Sequence, residues 1–381
     1  MNYEYFDENN EFNTNEYDDK NVTLKDLENT LSIPMDVSME LISEWNKKGK
    51  LVLDPDFQRR YVWDNKKMSL FIESLILGIP IPSILLAEDK KQNKYIVIDG
   101  KQRLNSIIKF IASENQGKGF KLTGLEILKN LNGCTYQNLQ TKGEYSRYLA
   151  RFEDAILKCS IVKNYTEDQL YFIFNRLNTG SVPLSTQELR QSLYPGKFLS
   201  YINEFSMNNE NLMKVLEIKT PDKRMKDVEL VVRYFSFKYY LQQYSNNLNK
   251  FFNKTCELLN SQWDLYSNKI IDDCQELNNS IRFVYEQFGD DAAFRAYFIN
   301  KETLIGQFGP INRPMFDLMS VFFSIPENRF KVNSKNINLK QFVISLFQNN
   351  TKFSNAFLPT THSKEKTDAR FQEFEKEFKK L

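Results

Sequence analysis

Between Val97 and Leu104 the chain reads Val97-Ile98-Asp99-Gly100-Lys101-Gln102-Arg103-Leu104. An apolar pair gives way to a carboxylate, a glycine, an ammonium, an amide and a guanidinium. That set can hold an anion. A helix opening at this point presents unpaired backbone N–H groups and a partial positive charge, and phosphate binds there readily. Gly100 lets a phosphate approach the backbone with no Cβ in the way. Arg103 can give two parallel hydrogen bonds to phosphate oxygens, and Lys101 adds a point charge. Gln102 can read a sugar, a base or a water. Asp99 repels a phosphate unless a cation lies between them. Its expected parts are therefore to order Arg103, to hold Mg²⁺ or to orient a water. Taken alone, the five residues fit a capped helix with a surface ion pair equally well.

Two further segments carry related chemistry. FQRRYVW, residues 57–63, sets Gln58, Arg59 and Arg60 beside Tyr61 and Trp63. The arginines can form a second phosphate clamp, and an aromatic ring can stack on a base for about 1–3 kcal/mol. Alternatively Phe57 and Trp63 anchor the core while the arginines pair with carboxylates. FNRLNTGSVPLS, residues 174–185, places Asn175 and Asn178 three apart on one helix face before an Asn-Thr-Gly turn. Such amides can hold a metal-bound water or a base edge, or simply cap a helix with Gly180. No GxxxxGK[ST] occurs, so any triphosphate hydrolysis would be of another mechanistic class.

The elements that must position these residues follow from periodicity. Residues 39–50 predict a helix and 51–53 a short strand. Asp64 is a suitable N-cap for a helix reaching Leu77, with Met68, Phe71, Ile72, Leu75 and Ile76 at helical spacing and Gly78 past its end. Pro80-Ile81-Pro82 forces an extended path. Residues 83–87 and 95–98 read as a strand hairpin. Leu104, Ile107, Ile108 and Ile111 make the next segment helical, so the polar cluster sits where a strand ends and a helix opens. Residues 117–143 look loop-rich with some strand character, and 155–162 form another strand. Thr166 with Gln169 and Ser185 with Glu188 are capping-box patterns. Helices are then expected over 227–243, 248–259, from about 278, over 314–323 and over 339–348.

The predicted fold class is α+β. A mixed α/β part to about residue 190 precedes a mostly helical part. The predicted organisation is an acidic, disordered arm over 1–34, a domain over 35–190, a helical domain over 191–350 and a charged tail over 351–381. With 381 residues, 41% hydrophobic and 26% charged, the chain can build a real core. A net charge of +2 excludes a wholly basic nucleic-acid clamp and leaves a local basic groove open. Cys134, Cys159, Cys256 and Cys274 form no CxxC pair and read as reduced thiols. No apolar run nears the ~18 residues of a membrane span. The acidic N-terminus is not a signal peptide, which gives a cytoplasmic expectation.

In order, LDPDFQRRYVW (53–63), IESLILGIPIPSILL, VIDGKQRL and FNRLNTGSVPLSTQELR resemble the bacterial "domain of unknown function 262" family, the N-terminal module of GmrSD-type, modification-dependent restriction systems. The likeness continues in KRMKDVELVVRYFSF, NNLNKFFN and NRPMFDLM, so it spans about residues 35–325. The resemblance implies a ParB/sulfiredoxin-like fold and a nucleotide-binding module, with triphosphate hydrolysis in several members. Its motifs map onto Asp99, Gly100, Lys101, Gln102 and Arg103, onto Gln58, Arg59 and Trp63, and onto Asn178 with Gly180. Lys101 stands where the family usually has Gln, which suits phosphate but puts the hydrolytic geometry in doubt.

Many relatives also carry a His-Asn-His nuclease domain, whose chemistry needs more than one histidine. This chain has only His362, in a polar TTHSKEK stretch. A nuclease in this chain is therefore not expected, and a separate partner chain would supply it.

The expected function is an NTP-binding subunit of a bacterial restriction or anti-phage defence system, with hydrolysis left open. Asp99 and Gln102 are the expected catalytic pair. Gln58, Arg59, Trp63, Gly100, Lys101, Arg103 and Asn178 are the expected nucleotide ligands. Mg²⁺ would enter with the NTP, through Asp99, and no tightly bound metal or organic cofactor is expected. The alternative is a non-catalytic module recognising DNA or modified DNA, with Lys47, Lys48, Lys50, Lys66 and Lys67 on phosphates. A third reading is a helical scaffold whose nucleotide pocket has decayed.

Overall fold

The computed structural model describes residues 30–53, 63–90, 92–112, 120–166, 169–170, 172–173, 176, 185–299, 306–358 and 362–381. Its described residues fall into two compact units, one of 30–184 with 191–193 and the other of 185–190 with 194–381.

The N-terminal unit is a mixed sheet with helices. In chain order its elements are β1 (Leu31–Ser38), α1 (Met39–Lys47), β2 (Leu51–Val52), α2 (Asn65–Leu77), β3 (Ile84–Asp89), β4 (Lys94–Asp99), α3 (Lys101–Ala112), α4 (Tyr136–Thr141), α5 (Ser146–Glu153) and β5 (Ile156–Lys163). The next helix, α6 (Thr186–Leu193), gives its last three residues to this unit. The strand order is β1-β5-β3-β4-β2. β3 runs antiparallel to β4 and parallel to β5, so β3 and β4 are the inner hairpin. Ile42 and Trp45 of α1, Ile72 and Leu75 of α2, and Leu104, Ile107 and Phe110 of α3 join Ile84, Leu86, Val97 and Ile161 of the strands in one core. Those helical positions are the ones the 3.6-residue period selects.

β1 corrects the predicted arm, because residues 31–34 belong to the sheet. Leu31 pairs with Lys163 and Ser38 with Ile156. As an edge strand it can carry Pro34, which has no N–H to offer a neighbour. Leu31 and Ile33 remain exposed, so no alternation betrays the strand. Residues 120–143 also differ from expectation, with no strand among those described. Leu122, Leu125, Leu128 and Leu131 plug into the core from turns instead. Glu73 of α2, itself buried, fixes that path. Its carboxylate accepts the backbone N–H groups of Glu126, Ile127 and Leu128 at 3.1, 2.9 and 2.6 Å.

The second unit comprises α7 (Lys197–Met207), α8 (Glu210–Val215), α9 (Lys226–Tyr240), α10 (Leu248–Ser261), α11 (Trp263–Phe288), a hairpin of β6 (Arg295–Ile299) and β7 (Gly306–Ile311), α12 (Arg313–Phe323), α13 (Pro326–Ser334), α14 (Leu339–Asn349), α15 (Thr351–Asn355) and α16 (Lys364–Lys379). α9 is buried over most of its length and carries charges into the core. Arg233 pairs with Asp317 through two hydrogen bonds of 2.8 and 2.6 Å. Arg313 lies 3.5 Å from Glu229. Within residues 364–381, expected as a charged helix or tail, α16 is a helix packed on one face. Phe374 and Phe378 of α16 sit 4.9 Å from Phe322 of α12, ring to ring. Phe371, Phe374 and Phe378 share a face at i, i+3 and i+7 beneath a charged exterior. The fold class is thus the expected one, a mixed α/β part followed by a mostly helical part. No helix among the described residues is long and apolar enough to cross a membrane.

Candidate functional site

The polar cluster lies at the β4–α3 junction. β4 ends at Asp99, and α3 begins two residues later at Lys101. Gly100 makes the corner at φ +90°, a left-handed conformation that disfavours any side chain. A Cβ there would stand 2.8 Å from Ile84 Cγ1 and 3.3 Å from Arg103 Nη2, so space as well as torsion demands glycine. The Gly100 carbonyl accepts the Leu104 N–H at 2.9 Å, which closes the first turn of α3.

Arg103 turns back toward β3 and holds the approach to it. Its Nη1 donates to the Pro82 carbonyl and, at 3.3 Å, to that of Ser83. Its Nη2 donates to Asp99 Oδ2 at 2.9 Å. The other Asp99 oxygen accepts the Gly100 N–H at 2.7 Å. Asp99 is more than half exposed while Arg103 is largely covered, so the pair is a buried guanidinium beneath a carboxylate that faces water. On β5, burial pushes the Cys159 thiol up to about 11, with the charge of Arg103 pulling the other way, so this cysteine is no nucleophile.

Lys101 and Gln102 reach outward from α3 to other segments. Lys101 is only 6% exposed, and its Nζ donates to the Ser192 hydroxyl of α6 at 3.2 Å. Gln102 Oε1 accepts the Trp63 backbone N–H at 3.2 Å. The Trp63 ring packs edge-on against Phe71, with centroids 5.6 Å apart, and Lys67 Nζ lies 5.1 Å from its centroid. Trp63 is therefore a core anchor whose backbone meets the cluster. The first turn of α3 touches the last residue of the FQRRYVW segment through Gln102 and the last turn of α6 through Lys101.

Gln58, Arg59, Arg60 and Tyr61, and likewise Asn175, Asn178 and Gly180, lie outside the described residues. Of the expected ligands Trp63, Gly100, Lys101 and Arg103, and with them the expected catalytic pair Asp99 and Gln102, come together at the junction. Ser192 was not singled out in the sequence, where a serine inside a helix carries no signal. Asn105, one turn beyond Lys101, and Gln191, beside Ser192, were also missed. Each is buried with one amide atom lacking a hydrogen-bond partner.

A Mg²⁺ ion entering with a nucleotide would draw one or two carboxylates and the phosphates as ligands. Asp99 fits that part poorly. Its Oδ2 already faces a guanidinium 2.9 Å away, and its Oδ1 is taken by the Gly100 N–H. No group of three acidic, histidine or cysteine side chains suited to a metal occurs among the described residues.

Residues 40–195 match the family model described as "GmrSD restriction endonuclease, N-terminal domain". Neither the curated proteins nor the solved structures include a significant match. Over residues 40–195, then, the chain is similar to the N-terminal domain of GmrSD restriction endonucleases.

Proposed function

We propose that this domain binds a nucleoside triphosphate at the first turn of α3 and serves as the nucleotide-responsive component of a restriction system. The observation that carries the reading is the meeting of three separate sequence segments on that one turn. Lys101 joins it to Ser192, and Gln102 joins it to Trp63. A cation in the first turn of a helix adds to the positive end of its dipole, and an anionic ligand is drawn to both. Lys101 and the backbone N–H groups of the turn would take phosphate oxygens, with Gly100 clearing the approach. Gln58 and Arg59, ahead of Trp63 in the sequence, and Asn178, ahead of α6, are the further ligands this reading would recruit.

In this reading Arg103 is a positioning residue. It neutralises Asp99, which would otherwise repel the phosphates, and it fixes the corner by holding two carbonyls. Any hydrolysis falls to Asp99, exposed enough to accept a proton from water, and to Gln102, whose amide is oriented by the Trp63 N–H. The domain would adopt a ParB-like role in the cytoplasm, transmitting nucleotide state to DNA or to a separate nuclease chain.

Recognition of DNA or modified DNA without catalysis is the second reading. Lys47, Lys66 and Lys67 are exposed in the same domain and could contact a phosphate backbone. Equilibrium dialysis of each of the four NTPs, with phosphate release measured with and without duplex DNA, separates the two. Binding of at least one NTP supports the nucleotide reading. DNA binding that weakens steeply with salt, with no NTP retained, supports the other.

A further inference from the structure

The helical unit holds a groove that the nucleotide reading does not use. It opens between the turn after α9 and α10, with a volume of about 210 Å³. Tyr240, Gln243 and Ser245 line it from the α9 side, and Lys250, Phe251 and Lys254 from α10. Phe251 is fixed there by the rings of Phe237 and Tyr244, with centroids 5.3 and 5.1 Å away. No carboxylate lines the groove, so its lysines make it positive. Lys250 lies in the first turn of α10, where the helix dipole adds to its charge. Lys254 sits one turn on, and its pair with Glu257 is exposed and of the kind worth little.

Pockets for cofactors run to about 300–1,000 Å³, and this groove is smaller. It suits a single ring, which aromatic neighbours receive edge-on or offset. The lysines call for carboxylates beside that ring. Residues 1–17 supply that pattern. They set Tyr3, Tyr5, Phe6, Phe12 and Tyr17 among five carboxylates, with no lysine or arginine. The densest run is Tyr3-Glu4-Tyr5-Phe6-Asp7-Glu8. Residues 1–29 lie outside the described residues, and a stretch of that length reaches about 100 Å when extended, so distance is no bar. We propose that the groove docks this chain's own N-terminal run. One of its rings rests against Phe251 and Tyr240, and its carboxylates sit on Lys250 and Lys254. Salt then loosens the contact by screening it.

Chymotrypsin, which cuts after Tyr and Phe, reads the docking in the full chain. Release of peptides from residues 1–17 is followed by mass, beside a free peptide of the same residues. The parent should be cut there several-fold more slowly than the free peptide, and high salt should remove the difference. Lys250→Glu combined with Lys254→Glu should remove it at low salt. Both side chains are exposed, and glutamate in the first turn of α10 suits the helix dipole, so this variant should melt like the parent. Adding Glu4→Lys, Asp7→Lys and Glu8→Lys to it should restore protection, which a change in stability alone would not do. A parent cut as fast as the free peptide overturns the proposal. So does equal protection in the parent and the double variant. Protection that grows with protein concentration overturns the intramolecular contact and gives the groove to a second copy's N-terminus. If the double variant melts lower, Lys254→Glu alone and the salt series decide.

Discussion

At the scale of single residues, Arg103 is the informative case. A guanidinium beside DGKQ reads in sequence as a phosphate clamp. In the fold it is held by the Pro82 and Ser83 carbonyls and by Asp99. Its removal leaves two carbonyls and a carboxylate short of a charged donor. Hydrogen bonds to charged groups are worth about 1.5–3 kcal/mol each, discounted at Asp99 because that side chain is exposed. Arg103→Ala should therefore destabilise the chain by about 2 kcal/mol, read as a lowered urea midpoint with an unchanged slope. A variant as stable as the parent would return Arg103 to the role of a free phosphate ligand. Lys101 is the opposite case. In the sequence it reads as a point charge offered to phosphate, and in the structure its side chain is almost wholly buried.

At the scale of elements, the inner hairpin and α3 place the site, and Glu73 secures α2 beside them. Replacing Glu73 with leucine strands the N–H groups of Glu126, Ile127 and Leu128 at once. The expected loss is about 2–4 kcal/mol in chemical denaturation, with faster hydrogen exchange confined to residues 120–134. Unchanged exchange there would show that the leucines alone hold that path.

The sequence showed α2, its Asp64 cap and the β3–β4 hairpin because their apolar periods and punctuation are clean. It showed the capping box of Ser185 with Glu188 for the same reason. It hid β1, whose first four residues are exposed on both faces. It also hid the first half of α11, where Leu265 and Ile271 are exposed and break the apolar stripe. In the site, Asp99 through Arg103 were legible from type and spacing. Ser192 was not, because only tertiary contact makes it a polar partner of α3.

At the scale of the whole molecule, the helical unit keeps charge in its interior and so answers to pH. Burial raises the carboxyl pKa of Glu229, but the guanidinium groups of Arg313, Arg233 and Arg190 outweigh it and hold the group below its ordinary 4.5. A carboxyl depressed in the folded state adds stability above its unfolded pKa and loses it as pH falls through the folded value. Glu229→Gln should be less stable than the parent at neutral pH, and the gap should narrow as pH drops below about 4.5. A constant gap across that range would mean the carboxylate contributes by shape alone.

The two units together carry a near-neutral charge of +2, so affinity for any polyanion must come from a local site. The β4–α3 junction is the site proposed here, and Lys101 is its least dispensable member. Methionine in its place keeps the buried stem and removes the charge. Ligand binding to the folded state raises stability by about 2.7 kcal/mol at a hundredfold excess over Kd. Thermal melting of the parent and of Lys101→Met, each with the four NTPs in turn, is the most direct measurement. The parent should melt higher with at least one NTP, and Lys101→Met, folded without ligand, should not respond. A parent whose melting no NTP raises, or a Lys101→Met that shifts as far as the parent, contradicts the account.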